Sequence, residues 1–323
     1  MHLLEQLGRE IGHTPLHEVA KIPIPNDNRV FIKLESQNLS GTHYDRVYLN
    51  LFRKLEIAGK IHRGRTRLIE TSSGSAGRSV AEIGKFLGYD VTVVVPGQLP
   101  AARIDAIKLR GAKVVEADGP TVSDAVTKLR ELLLEDERRH PKVEDRFFCM
   151  NHSRDLRSLE AMDGLADEVR DALPQGRIDA FVGACGNGTS LVGVGRRLKQ
   201  IYPDLKVIGV EPEETCPVFR THVARTQGSD TKNSYRAHDV YGTGVSGVHF
   251  PFFDDRLALS VLDNSMVVAK TDRETALVAL NNVEGLDAGR STALCFAAIL
   301  QLCSESRGRT YLTIQYDSLS RFY

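Results

Sequence analysis

The sequence predicts an α/β protein built on parallel sheets. Three observations point that way. Short, continuously apolar runs such as Val91–Val95 recur along the chain. Helical segments separate them. Two loops of small residues, Thr71–Gly77 and Gly183–Ser190, each lie between a strand and a helix. Strands that alternate with helices form parallel sheets covered on both faces.

The elements follow in order. Arg67–Glu70 (RLIE) reads as a short strand, and the loop Thr71–Gly77 follows it. A helix then runs to about Leu87 and stops at Gly88, a residue suited to a helix C-terminus. Val91–Val95 is a buried parallel strand ended by Pro96. Ala101–Arg110 is a helix closed by Gly111, and Lys113–Glu116 is the next strand. Thr121–Arg138 is a long helix with apolar residues at Val122, Ala125, Leu129, Leu132 and Leu133. Phe147–Met150 is an apolar strand. In the second half, Asp179–Gly183 is a strand, the glycine loop follows, and a helix runs to about Ile201. Val207–Glu211, Met266–Ala269 and Thr310–Ile314 read as strands, and Asp272–Val283 and Thr292–Ser304 as helices. The region from Thr215 to Asp255 reads as loop-rich. No internal repeat or low-complexity tract interrupts the pattern.

The chain of 323 residues is long enough for about two domains. Its 41% hydrophobic and 26% charged residues are ordinary for a globular protein. Lys plus Arg and Asp plus Glu balance at 42 each, so no charge excess points to nucleic acid, and a small-molecule ligand is expected. The N-terminal MHLLEQLGREIGHTPL lacks the pattern of a signal peptide, and no apolar stretch is long enough to span a bilayer. The five cysteines, Cys149, Cys185, Cys216, Cys295 and Cys303, are scattered, which favours free thiols and a cytoplasmic location. No HExxH or paired-cysteine signature of a metal site is present.

Gly183-Ala-Cys-Gly-Asn-Gly-Thr-Ser190 reads as a phosphate cradle. Glycines let backbone N–H groups approach an anion, and the helix N-terminus adds its positive dipole end. The alternative is a tight turn with no ligand. It matches neither the dinucleotide fingerprint nor the P-loop. Thr71-Ser-Ser-Gly-Ser-Ala-Gly77 suits a carboxylate by the same physics, or else holds ordinary serine caps. Gly289-Arg-Ser-Thr-Ala293 partly matches a hydrolase elbow, but the last histidine, His249, precedes Ser291, against the hydrolase order. Cys185 is either reactive or a small buried hydrophobe. His152 follows an apolar strand, at an end where ligands gather in open α/β sheets.

Taken in order, these pieces resemble the fold type II pyridoxal-phosphate (PLP) family of cysteine synthase, cystathionine β-synthase and threonine synthase. Ile11-Gly-His-Thr-Pro-Leu16 is similar to the family's Gly-Asn-Thr-Pro-Leu. Ile32-Lys-Leu-Glu35 with Asn38-Leu-Ser-Gly-Thr-His-Tyr-Asp-Arg46 is similar to Lys-Leu-Glu and Asn-Pro-Ser-Gly-Ser-x-Lys-Asp-Arg. Ser72–Gly77 resembles the loop that holds the substrate carboxylate, which implies substrate contacts from Ser72, Ser73, Gly74 and Ala76. Gly186-Asn-Gly-Thr-Ser190 resembles the phosphate loop. Gly289-Arg-Ser-Thr resembles Gly-Ile-Ser-Ser, which implies that Ser291 contacts the pyridine nitrogen. Asp317-Ser-Leu-Ser-Arg321 resembles the closing motif.

The resemblance also carries departures. It sets the family's Schiff-base lysine at Tyr44, and a phenol cannot form an imine with an aldehyde. Lys33 matches a different lysine of the family. Ser75 stands for the asparagine that contacts the PLP hydroxyl, Ala76 for a threonine, and His152 for a glutamine near the carboxylate. The expected architecture is two doubly wound parallel-sheet domains with the ligand between them. The small domain is residues 34–148. The large domain is residues 1–33 plus 149–323. The resemblance further implies a homodimer.

The expected function is a divergent family member that binds PLP or another phosphorylated small molecule non-covalently, through Gly186, Asn187, Gly188, Thr189, Ser190, Ser75 and Ser291, without the ancestral β-replacement activity. One alternative is an active enzyme, a lyase or transferase on a small substrate, with Tyr44 and His43 as acid and base. Another is a regulatory partner of an active paralogue.

Overall fold

The computed structural model describes residues 2–173, 176–219, 243 and 260–322. Most of the expected loop-rich region 215–255 lies outside the described residues. In chain order, the first elements are helix α1 (His2–Glu10), strands β1 (Leu16–Glu18) and β2 (Arg29–Lys33), α2 (Tyr44–Ile57), β3 (Arg67–Thr71), α3 (Ser75–Leu87) and β4 (Asp90–Val95). Next come α4 (Ala101–Lys108), β5 (Lys113–Glu116), α5 (Val122–Arg139), β6 (Phe147–Cys149), α6 (Arg157–Glu160) and α7 (Asp163–Ala172). The second half holds β7 (Ala180–Ala184), α8 (Thr189–Ile201), β8 (Lys206–Pro212), β9 (Asn264–Val268), α9 (Lys270–Val278), α10 (Arg290–Glu305), β10 (Thr310–Ile314) and α11 (Leu319–Phe322).

The described residues divide into two compact units. Unit 1 takes residues 2–12, 38–161 and 321–322, and unit 2 takes residues 13–37 and the described part of 162–320. The segment after β6 packs in unit 1. Asn50 Nδ2 on α2 donates to Arg157 O at 2.8 Å, and Lys54 pairs with Glu160 at 2.6 Å.

Unit 1 carries a four-stranded, wholly parallel sheet in the order β5-β4-β3-β6. Val91–Val95 is buried without alternation, as a strand covered on both faces must be. Ile69, Val94, Ala117, Ala125 and Leu129 form a core cluster between the sheet and α5. The local signals operate as expected. Gly88 ends α3 in the left-handed region, at φ 83°, and its N–H bonds back to Gly84 and Lys85. Thr121 precedes α5 as its cap rather than opening the helix. Its Oγ1 accepts from Asp124 N at 3.2 Å, and Asp124 returns the bond to Thr121 N at 2.8 Å.

Unit 2 carries a six-stranded sheet in the order β1-β2-β10-β7-β8-β9. Every pairing is parallel except β1 with β2, which is antiparallel. The connection between those two strands holds no crossover helix, so the chain returns alongside itself. β7 and β10 are buried along their whole length, and Leu294, Phe296 and Ile299 of α10 are fully buried. The single helix expected over Asp272–Val283 is divided. α9 ends at Val278 and passes into a π-helical segment, Ala279–Glu284. There Asn281 Nδ2 donates to Leu277 O and Ala288 O, and Glu284 accepts from the backbone of Ala20, Lys21 and Ile22. These side-chain bonds accompany the widened turn.

All five cysteines are free. No described helix is long and apolar enough to cross a membrane.

Candidate functional site

In unit 2, β7 ends at Ala184 and α8 begins at Thr189, so residues 185–188 form the connecting loop. Gly188 caps α8 in the left-handed region, at φ 94° and ψ −12°, a conformation that glycine adopts without a Cβ penalty. Asn187 Oδ1 accepts from Thr189 N at 2.9 Å and holds the turn. Thr189 Oγ1 is buried and has no hydrogen-bond partner among the described residues. Ser190 is buried beside it. A helix N-terminus leaves backbone donors without intrahelical partners, and its dipole favours an anion. Cys185 in this loop is a buried hydrophobe, and burial pushes its thiol well up.

Tyr316 ties this loop to α10. Its hydroxyl accepts from Ala184 N at 2.9 Å, and its own N–H donates to Thr292 Oγ1 at 3.2 Å. The loop and the first turn of α10, which carries the half-buried Ser291, are therefore linked through one buried residue. Gly289 precedes that turn, where a Cβ would lie 1.9 Å from Asp317 Oδ1. Nothing in the local sequence marked Tyr316 for this role. Tyr316→Phe removes the acceptor and leaves a buried N–H unmatched, at a cost of about 1–3 kcal/mol. Affinity for inorganic phosphate or PLP, measured by calorimetry, is expected to fall about tenfold. Unchanged affinity would show that the loop keeps its shape without this bond.

In unit 1, the loop after β3 is built from its own groups. Ser72 Oγ accepts from Gly74 N at 3.0 Å and Gly77 N at 2.7 Å, so its hydroxyl shapes the loop. Ser73 O accepts from Arg103 Nη1 at 2.8 Å. Arg103 is buried, and a Cβ on Gly74 would lie 2.4 Å from its guanidinium. Gly74 stands at φ 150° and ψ −82°, and Ser75 and Ala76 open α3 behind it.

Tyr44 is the first residue of α2, where Thr42 Oγ1 accepts from its N–H at 2.9 Å. Its neighbour Asp45 is fully buried and accepts from Ser40 N at 2.6 Å and from the Ser79 hydroxyl of α3. The Tyr44 ring packs against His43, with centroids 4.2 Å apart. It also meets His152 edge to face at 5.3 Å. His152 is buried. Its Nδ1 lies 3.1 Å from Glu70 Oε2 and 3.1 Å from the Tyr48 hydroxyl. Burial pushes the Tyr48 phenol well up, and the Glu70 carboxylate and Tyr44 add to the effect.

The sequence-predicted residues thus fall into two groups. Residues 186–190 and Ser291 belong to unit 2. Tyr44, His43, Ser72–Ala76 and His152 belong to unit 1. Glu70, Tyr48, Arg103 and Tyr316 were not anticipated. Only Glu70 left a local signal, as a charged residue at the carboxyl end of an apolar parallel strand. Among the described residues, no group of three or more His, Cys, Asp or Glu is placed to hold a metal ion.

The donor set at the start of α8 fits a phosphate, since it combines an orphaned buried hydroxyl, a left-handed glycine and a helix N-terminus. Lys33 offers no amine, because its buried Nζ is engaged by Thr14 O and by Glu168 at 2.7 Å. A family model described as pyridoxal-phosphate dependent enzyme matches residues 7–317. The chain is 27% identical over 324 residues to a cysteine synthase of Staphylococcus aureus, covering 99% of this chain and 95% of that protein. A hydrogen sulfide-producing enzyme from Fusobacterium nucleatum shares the fold with a TM-score of 0.84 and 25% identity, covering 98% of this chain and 99% of that one. An O-acetylserine dependent cystathionine beta-synthase from Helicobacter pylori superimposes with a TM-score of 0.81 at 25% identity, covering 98% and 96%. With a matching model across nearly its whole length and relatives of this kind, the chain belongs to the pyridoxal-phosphate dependent enzyme family and is cysteine synthase-like.

Proposed function

We propose that this chain binds PLP, or another phosphorylated small molecule, without a covalent lysine link, and that it has left the ancestral β-replacement chemistry. The phosphate cup at Gly186–Ser190 carries this reading, because Thr189 Oγ1 is buried there without a protein partner at the opening of α8. When bound, PLP supplies an electron-withdrawing ring that stabilises negative charge developing next to an attached amine. Gly188, Thr189 and Ser190 would bind the phosphate, and Ser291 and Ser75 would orient the ring. The loop Ser72–Ala76 would take a carboxylate. Tyr44, in the family's lysine position by resemblance, offers a phenol that packs on His43 and His152 and forms no imine.

A second reading draws support from that ring cluster. Tyr44 and His43 would serve as acid and base in an active enzyme, since both residue types move protons in catalysis.

The test is spectroscopic and chemical. PLP titrated into the protein is expected to bind, with saturable changes in its visible absorbance. Borohydride reduction followed by peptide mapping is expected to leave no pyridoxyl group on any peptide. A pyridoxyl-lysine anywhere in the chain would overturn the non-covalent reading. An absence of binding by both PLP and inorganic phosphate would overturn the cup.

A further inference from the structure

A buried polar cluster lies beside Tyr44. Glu70 ends β3 and His152 follows β6, and those strands are neighbours, with Ile69 opposite Cys149. Both residues are buried. Glu70 Oε1 accepts from Thr71 N at 2.9 Å, and Oε2 accepts from His152 N at 3.1 Å. Two backbone donors therefore lock the carboxylate, and His152 Nδ1 stands 3.1 Å from the same Oε2.

This arrangement favours one of the two ring nitrogens as the carrier of the proton. A carboxylate only accepts, so a proton on Nδ1, 3.1 Å away, is favoured over a lone pair there. Tyr48 does not reverse the assignment. Burial keeps its phenol protonated, and its hydroxyl oxygen, 3.1 Å from Nδ1, accepts as well as donates. In the neutral ring, Nε2 then holds the lone pair. Ser153 Oγ lies 3.2 Å from Nε2, which makes its hydroxyl the donor there. A base oriented through its other nitrogen by a third group is the arrangement that general-base catalysis requires.

We propose that His152 is the proton-transferring residue of this site, with Nε2 as the accepting atom, and that Glu70 is its positioning residue. The proton passes from the ligand to Nε2, directly or through the Ser153 hydroxyl, which accepts one proton as it gives up another. The imidazolium is stabilised by Glu70 until the proton returns. The ligand class is an amine or amino acid with an acidic hydrogen. The inference deepens the reading above, and rests on it only in that position 44 offers no amine.

The experiment has two arms. The first needs no ligand. Side-chain 15N spectra of histidine-labelled protein are expected to show neutral His152 as the Nδ1–H tautomer. Glu70→Gln should shift the tautomer ratio toward Nε2–H by about tenfold, and Glu70→Asp should restore it in part. A buried pair with no orienting role would not return with the shorter carboxylate. Wild-type protein in the Nε2–H form, or an unchanged ratio in Glu70→Gln, overturns the proposal. The second arm follows loss of Cα deuterium from labelled L-alanine with PLP present. His152→Gln is expected to slow exchange about 100-fold or more, the usual contribution of a positioned base. Exchange that survives His152→Gln, or no exchange in wild-type protein with PLP bound, overturns the proton-transfer role. Failure of PLP to bind counts against the cofactor reading instead, and the ligand-free tautomer still decides whether Glu70 positions His152.

Discussion

Gly188→Leu is expected to weaken binding of PLP and of inorganic phosphate by about 100-fold, which corresponds to about 2.7 kcal/mol. Two effects add. Position 188 stands at φ 94°, where an L side chain costs about 1–3 kcal/mol. Relieving that strain would rotate the peptide that opens α8, whose Val192 N–H bonds to Gly188 O at 2.8 Å. The new side chain also stands at the helix end proposed to receive the anion. Gly308→Ala separates the two effects. Gly308 is likewise left-handed, at φ 65°, but a Cβ there meets nothing within 4 Å. This control is expected to lower the melting temperature without changing phosphate affinity. Equal affinity in Gly188→Leu and wild-type protein, read by calorimetry, would place the anion site elsewhere.

Tyr44→Lys is expected to restore covalent attachment of PLP far better than it restores catalysis. The backbone at position 44 is held by Thr42 Oγ1 and by the buried Asp45, neither of which depends on the Tyr44 side chain. The new amine would leave from the same Cα at the same helix start. Borohydride should then fix a pyridoxyl group on the α2 peptide. Turnover asks for more, because a small misplacement of the reacting bond costs about 100-fold in rate. Ser72 already spends its hydroxyl on Gly74 N and Gly77 N. Ala76 brings no donor, and His152 is committed to Glu70 and Ser153. β-Elimination from O-acetylserine by the variant is therefore expected to stay about 100-fold or more below that of a cysteine synthase measured alongside. Rapid turnover would mean that the rest of the site is intact, and the proposed divergence would fail. No attachment at all would overturn the assignment of position 44 to the family's lysine.

Much of the architecture was legible because its causes are local. Val91–Val95 announces a strand covered on both faces by its unbroken apolar run. Gly88 and Thr121 mark helix ends through backbone conformation and side-chain caps, which involve only a few neighbouring residues. The glycines of 186–190 declare a strand-to-helix turn for the same reason. The break in the helix over Asp272–Val283 was not legible, because Glu284 bonds to the chain near residue 20.

The sequence by itself determined the α/β class, the order of most strands and helices, the two strand-to-helix loops of small residues and the phenol at position 44. Tertiary structure alone decided which polar groups meet. His152 reaches Glu70 across 82 residues, Tyr48 reaches His152 across 104, and Tyr316 reaches Ala184 across 132. No periodicity or spacing encodes those encounters. They exist because β6 pairs with β3, because α2 packs beside them, and because the chain after β10 returns to the end of β7. Burial at those meeting points then makes each polar group require a partner, and so turns scattered side chains into a defined network.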